Sequence, residues 1–199
     1  SFLLTLFLSF FALPLWAANH AAKVLMSHIE NMQSLTASFH QRTIADGQIT
    51  NQEGIMALKK PHRFDWQVQK PMEQRIIANS THVYLYDPDL MQVIVKPLDQ
   101  ALSTPMSILA GNSKALAKHF NISASKGLQD FTLTPKQKDQ MIKKMVLHFS
   151  PQHILSEMTV QNNLDQTMHI TLSNVKINPK LSDSRFDFTP PKGVDVYRQ

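Results

Sequence analysis

Nine histidines are the first side chains in this chain to test for chemistry, because imidazole serves as metal ligand and as general acid or base near neutral pH. They are scattered. His20 and His28 precede the first extended segment, His40, His62, His82, His119 and His169 stand apart, and His148 and His153 are five residues apart with no HExxH pattern around them. The chain has no cysteine, which removes thiol catalysis, disulfides and cysteine-bound metals. Asp87-Pro88-Asp89 places two carboxylates close together, but proline between them makes a solvated turn rather than an acid/base pair. No GxSxG elbow supplies a nucleophile, and with 5 glycines there is no loop to cradle a phosphate. These patterns point away from an enzyme, a metal site and any cofactor.

What the chain has in quantity is soft apolar matter: 10 Met and 11 Phe in 199 residues. Methionine is flexible and polarisable, suited to a surface that accepts a mobile apolar guest. The elements that would position these side chains begin with Glu53 to Val95, which reads as five consecutive antiparallel strands. Phe64, Trp66 and Val68 alternate with Arg63, Asp65 and Gln67, and Met56 and Leu58 alternate with Ile55 and Ala57. Turn chemistry falls between the runs, at Lys60-Pro61-His62, Lys70-Pro71, Asn79-Ser80 and Asp87-Pro88-Asp89. Leu35 to Ile44 alternates in the same way ahead of an Asp46-Gly47 turn.

Helical spacing occupies Asn19 to Ser34, with Ala21, Leu25, Ile29 and Met32 on one stripe and Lys23, Ser27, Glu30 and Asn31 opposite. Thr104-Pro105 starts a short helix through Met106, Ile108 and Leu109 to a stop at Gly111, and Ser113 is expected to cap another over KALAKHF. Both are too short to stand alone and are expected to pack over the sheet as lid elements. Strands return at Asn121 to Ser125, Asp130 to Thr134, Met145 to Ser150, Ile154 to Asn162 and Thr167 to Val175, with a short extended piece at Phe186 to Phe188. About eleven antiparallel strands in one sheet must curl. The fold class expected is mainly β with α, an open antiparallel half-barrel of about eleven strands with an α-helical lid over a hydrophobic cavity.

The chain begins SFLLTLFLSFFALPLWAANHAA, an apolar run of about 16 residues followed by small ones. This reads as the h-region of an export signal clipped at its N-terminus, with cleavage expected after Ala17 or Ala18. A membrane span would need a longer run and a basic stop-transfer cluster. Residues 1–17 are therefore set aside as signal peptide and 18–199 as a single domain working in the periplasm. Net charge is +5, yet no Lys/Arg run exceeds two residues, which argues against nucleic acid as a partner.

The stretches LKKPHRFDW, YLYDPDLMQVIV, TPMSILAG, FTLTP and FDFTPPKGVDV, in this order and spacing, resemble the bacterial outer-membrane lipoprotein carrier proteins, the LolA family. The resemblance implies an unclosed β-barrel with a helical lid. It implies a monomeric chaperone that takes lipoproteins by their acyl chains from an inner-membrane ABC transporter, the Lol transporter, and passes them to an outer-membrane receptor, LolB. On this reading Met56, Leu58, Phe64, Trp66 and Ile77 form the acyl-binding surface, and Leu25, Ile29, Met106 and Leu109 belong to the lid. The family carries an arginine that hydrogen-bonds the lid shut where this chain has Lys60, a point charge without the planar fork. Lys60 is expected to act as the latch, or Arg63 in its place. The alternative is a lipid-sensing or LolB-like receptor half-barrel; an anchored receptor would need a lipobox cysteine, and the chain has none.

Overall fold

A computed structural model describes residues 14–101, 104–137 and 141–199. Helix α1, Pro14–Asn31, leads into a long hairpin of β1, Ser34–Ala45, and β2, Gln48–Lys59. Then come β3, Arg63–Lys70, β4, Gln74–Ala78, β5, His82–Asp87, and β6, Gln92–Pro97. Helices α2, Pro105–Ala110, and α3, Ser113–His119, follow. The chain returns to the sheet with β7, Phe120–Ala124, β8, Asp130–Pro135, β9, Ile142–Phe149, β10, Leu155–Asn162, and β11, Thr167–Ile177, and ends on β12, Asp195–Arg198. Most of the signal segment, residues 1–13, lies outside the described residues. Helix α1 starts five residues before the expected Asn19, ahead of both cleavage points considered, and ends three residues before Ser34.

All the strands form one open sheet in the order β12-β6-β5-β4-β3-β2-β1-β11-β10-β9-β8-β7. The five-strand meander stands as read, and Asp46 and Gly47 both take positive φ, as a tight Asp-Gly hairpin requires. Alternation puts one side chain of every pair on the concave face. Leu35, Ala37 and Phe39 on β1 stand level with Leu58, Met56 and Gly54 on β2, while Leu172 and Ile170 on β11 continue the row toward Met158, Leu147 and Phe131. With the inward side chains of α1 and α2, these make one continuous buried apolar cluster. Register shifts in β1, β2 and β10 break the ladders locally and bend the sheet around the cluster.

Three features differ from the sequence reading. The chain ends on a twelfth strand, and β12 runs parallel to β6, with Val196 beside Val93. Its four residues are too few to show a period, and their partner is a hundred residues away. The expected extended piece at Phe186 to Phe188 starts instead inside a 3₁₀ turn, Asp183–Phe186, which turns Phe186 fully inward. Finally, the cap of α3 is Asn112, whose side chain accepts from the Lys114 N–H at 2.9 Å, and Ser113 is the first helical residue.

Candidate functional site

The floor of the concave face is set by the β2–β3 register, which pairs Met56 with Trp66 and Leu58 with Phe64. Beside them Phe39 stacks on Trp66, ring centroids 3.7 Å apart and planes 19° from parallel. Gly54 makes this stack possible. A Cβ there would stand 2.7 Å from the Phe39 ring and 1.9 Å from the Gln67 carbonyl oxygen, so only hydrogen fits. The lid residues close over this floor: Leu25, Ile29 and Leu109 are fully buried, and Met106 nearly so, in the same cluster as Met56, Leu58, Phe64 and Trp66.

Ile77 does not join them. It stands level with Asp65 on β3 and Tyr84 on β5, which is the convex side, and its neighbour Ile76, level with Trp66, takes the concave place. Ile77 is fully buried all the same, because the chain after β11 crosses the back of β3 to β6. Burial on both faces defeats a reading based on alternation, since Ile76 and Ile77 are both apolar.

The helices are fastened at the turn between β2 and β3. The Lys60 ammonium donates to the Ile29 carbonyl near the end of α1, and the Lys60 backbone N–H donates to Gln33 at 2.9 Å. His62, held at φ 59°, donates its backbone N–H to the Ala110 carbonyl at the end of α2, at 2.8 Å. One turn therefore holds the C-terminal ends of both helices, whose last carbonyls have no partner within the helix. Burial lowers the pKa of Lys60 from the ordinary lysine value, and Glu30 partly offsets this. At its start α2 is closed by reciprocal hydrogen bonds between Thr104 and Ser107.

Arg63 points elsewhere. Its guanidinium donates to the Pro61 carbonyl at 3.3 Å and lies 3.4 Å from Asp183, while Lys59 contacts the same carboxylate at 2.6 Å. Asp183, exposed, has its pKa lowered chiefly by the Lys59 hydrogen bond; desolvation opposes this, and the charges of Arg63 and Lys59 add to the lowering. Of the two candidate latch residues, Lys60 touches the lid and Arg63 ties the turn to the C-terminal segment. Two open clefts flank Lys60, one of about 500 Å³ against Pro179 to Ser182 and one of about 350 Å³ against Gly111 to Ser113.

Further along α1, the His28 ring stacks on His153, centroids 4.8 Å apart, and packs against Phe131 and Phe149. Its Nε2 is buried without a hydrogen-bond partner, and burial, then the neighbouring His153, lowers its pKa. Sequence reasoning passed over Phe39, His62 and this pair. Phe39 was visible in the alternation of β1, but its stacking on Trp66 depends on pairing across three strands. The contribution of His62 is a backbone N–H, which no side-chain pattern reveals. Among the described residues no three His, Cys, Asp or Glu side chains gather as a metal site would need, and no helix is long and apolar enough to cross a membrane.

An unclosed half-barrel whose apolar concave face is covered by helices, two of them tethered at one turn, defines the class: a lidded β-container. The family model for "Outer membrane lipoprotein carrier protein LolA" matches residues 30–189, and the chain belongs to that family. An outer-membrane lipoprotein carrier protein of Pseudomonas syringae pv. syringae (strain B728a) is 36% identical over 202 aligned positions, covering 99% of this chain and 97% of that protein. One of Legionella pneumophila (strain Lens) is 37% identical, covering 90% of each. The fold is also that of a LolA superfamily protein from Nitrosomonas europaea, with a TM-score of 0.51 at 13% identity over 84% of this chain and 97% of that one.

Proposed function

We propose that this chain is a periplasmic carrier that shelters the acyl chains of lipoproteins between an inner-membrane ABC transporter and an outer-membrane receptor. The observation that carries this reading is the fastening of the lid: a broad apolar face is covered by helices whose ends are held by a few hydrogen bonds to one turn. Each CH₂ moved out of water contributes about 0.8 kcal/mol, so an acyl chain that displaces the lid replaces one apolar cover with another. The net change in exposed apolar surface is small. A carrier needs that near balance, because cargo held by the full transfer energy would not be released.

On this reading Met56, Leu58, Phe64, Trp66 and Phe39 contact acyl chains, Leu25, Ile29, Met106 and Leu109 are displaced, and Lys60 sets the cost of opening. The relatives' printed name supports the lipoprotein as cargo. Spheroplasts incubated with the purified protein test the proposal: newly made lipoproteins should appear in the supernatant in proportion to the protein added. A supernatant free of lipoprotein at every dose rejects the reading.

A further inference from the structure

The two ends of the strands differ in kind. Of nine large apolar side chains exposed among the described residues, six stand at one end: Ile49, Met72, Leu90, Met91, Met141 and Leu164, between 48% and 74% exposed. The strand pairings fix this. Ile49 follows the β1–β2 turn, Met72 lies in the β3–β4 turn, Leu90 and Met91 in the β5–β6 turn, Met141 precedes β9, and Leu164 lies in the β10–β11 turn. The opposite end carries the Lys60 turn and polar turns at Asn79-Ser80 and Pro151-Gln152, with Ile177 its only exposed large apolar residue among those described.

Two of these tips are ordered by the same device. Asp87 accepts the Leu90 N–H at 3.1 Å, and Asn162 accepts those of Leu164 and Gln166, each at 3.0 Å. Turn residues usually leave polar tips in water; here they hold a leucine outward on a fixed backbone, which lowers the ordering cost of inserting it.

We infer that this rim makes transient contact with the surface of a lipid bilayer by inserting its apolar tips. The inference rests on the carrier reading, in which the chain meets a membrane-embedded transporter and then a membrane receptor and so works beside two bilayer surfaces. A protein partner would need a matching pocket for each separate convex tip, and hairpins two strands apart stand about 10 Å from one another. A fluid bilayer accommodates each tip where it lands. Rim charges are of both signs, Lys70, Lys143 and Lys192 against Glu73, Asp89 and Asp165, so the attraction is apolar and not to anionic lipid in particular.

The absence of cysteine permits a direct test on the chain from residue 18 onward, without the apolar leader that would itself enter a bilayer. Asp89→Cys beside Leu90 and Ser80→Cys on the opposite end are each labelled with an environment-sensitive dye and mixed with phosphatidylcholine–phosphatidylethanolamine vesicles. The label at 89 should shift to the blue and the one at 80 should not, in 0.5 M salt as in low salt; about 0.5 M suffices to screen exposed charges. Leu90→Glu with Met91→Glu should lower the bound fraction at least about tenfold, and Leu164→Glu less. No shift at either label, an equal shift at both, or loss of the shift in salt overturns the inference. So does self-association without vesicles that the double substitution abolishes, which would make the occupant a second copy. Uptake of a soluble acylated peptide is measured in parallel: uptake without rim contact sinks this inference alone, and rim contact without uptake sinks the carrier reading alone.

Discussion

Strands β3 to β6 are covered on both faces, and the two covers are fastened differently. On the concave face, α2 and the last turn of α1 are apolar pieces whose ends are held by the Lys60 side chain and two backbone N–H groups. On the convex face, the segment after β11 drives Phe186 fully inward and sets Arg185 4.0 Å from Asp65. Asp65 is buried and accepts two hydrogen bonds from Arg75, at 2.8 and 3.0 Å, and one from Gln67 at 2.9 Å. Phe188 adds contacts to Tyr84 and Tyr86. Asp65 is thus satisfied within the sheet by Arg75 and Gln67, and what fastens the convex cover is the fully buried Phe186 and the pairing of β12 with β6. The lid is held by hydrogen bonds at one turn, and on the proposed carrier reading it is exchanged for another apolar body. On that reading the same strands carry one permanent cover and one replaceable cover.

The comparison can be broken most forcefully at Phe186. Phe186→Ala should lower unfolding free energy by about 4 kcal/mol in denaturant titration, while the protein that remains folded takes up acylated peptide normally. A loss of uptake by folded protein would mean the two covers are coupled. Arg75→Met leaves the Asp65 carboxylate short of a partner and should cost about 3 kcal/mol. Absence of any destabilisation would mean that the Arg75–Asp65 pair does not hold β4 to β3.

Smaller effects belong to the lid. Lys60→Leu leaves the Ile29 carbonyl without its donor, and a cost of about 1 kcal/mol should appear as roughly fivefold faster hydrogen exchange in α1 with little change in global stability. Passing cargo onward should suffer more than accepting it; equal loss of both steps would remove the latch role. The smallest effect is a pH dependence. Burial lowers the pKa of His28 below its ordinary 6.5, so the displaced helix binds a proton that the docked helix refuses. Docking of α1 should be unaffected above pH 6.5 and weaken as pH falls from there through the docked value. Exchange measured at pH 7 and pH 5 checks this, and His28→Phe should flatten the difference.

Much of the fold was legible because its signals are local. Alternation in Arg63 to Val68 and turn residues at Lys60-Pro61-His62 and Asp46-Gly47 require no knowledge of distant parts, and the β2–β6 meander pairs neighbours in the chain. Helix α2 announced itself by Thr104, Pro105 and Gly111. The parallel pairing of β12 did not, since Asp195 to Arg198 meet β6 only after the chain has crossed the back of the sheet. Ile77 was misplaced for a related reason: both it and Ile76 are apolar, and only the C-terminal segment buries the one on the convex face.

By itself, the order of residue types determined that this chain makes a curved sheet with an apolar face and short helices to lie upon it, and that no thiol chemistry operates in it. Those conclusions follow from periodicity and composition, which are properties of consecutive residues. Tertiary structure alone decided that Lys60, not Arg63, reaches the lid, that Phe39 lies flat on Trp66, and that the exposed apolar tips gather at one end. Each of these depends on strand register and on the path of the C-terminal segment, which bring together side chains up to a hundred or more residues apart. No local rule encodes such distances.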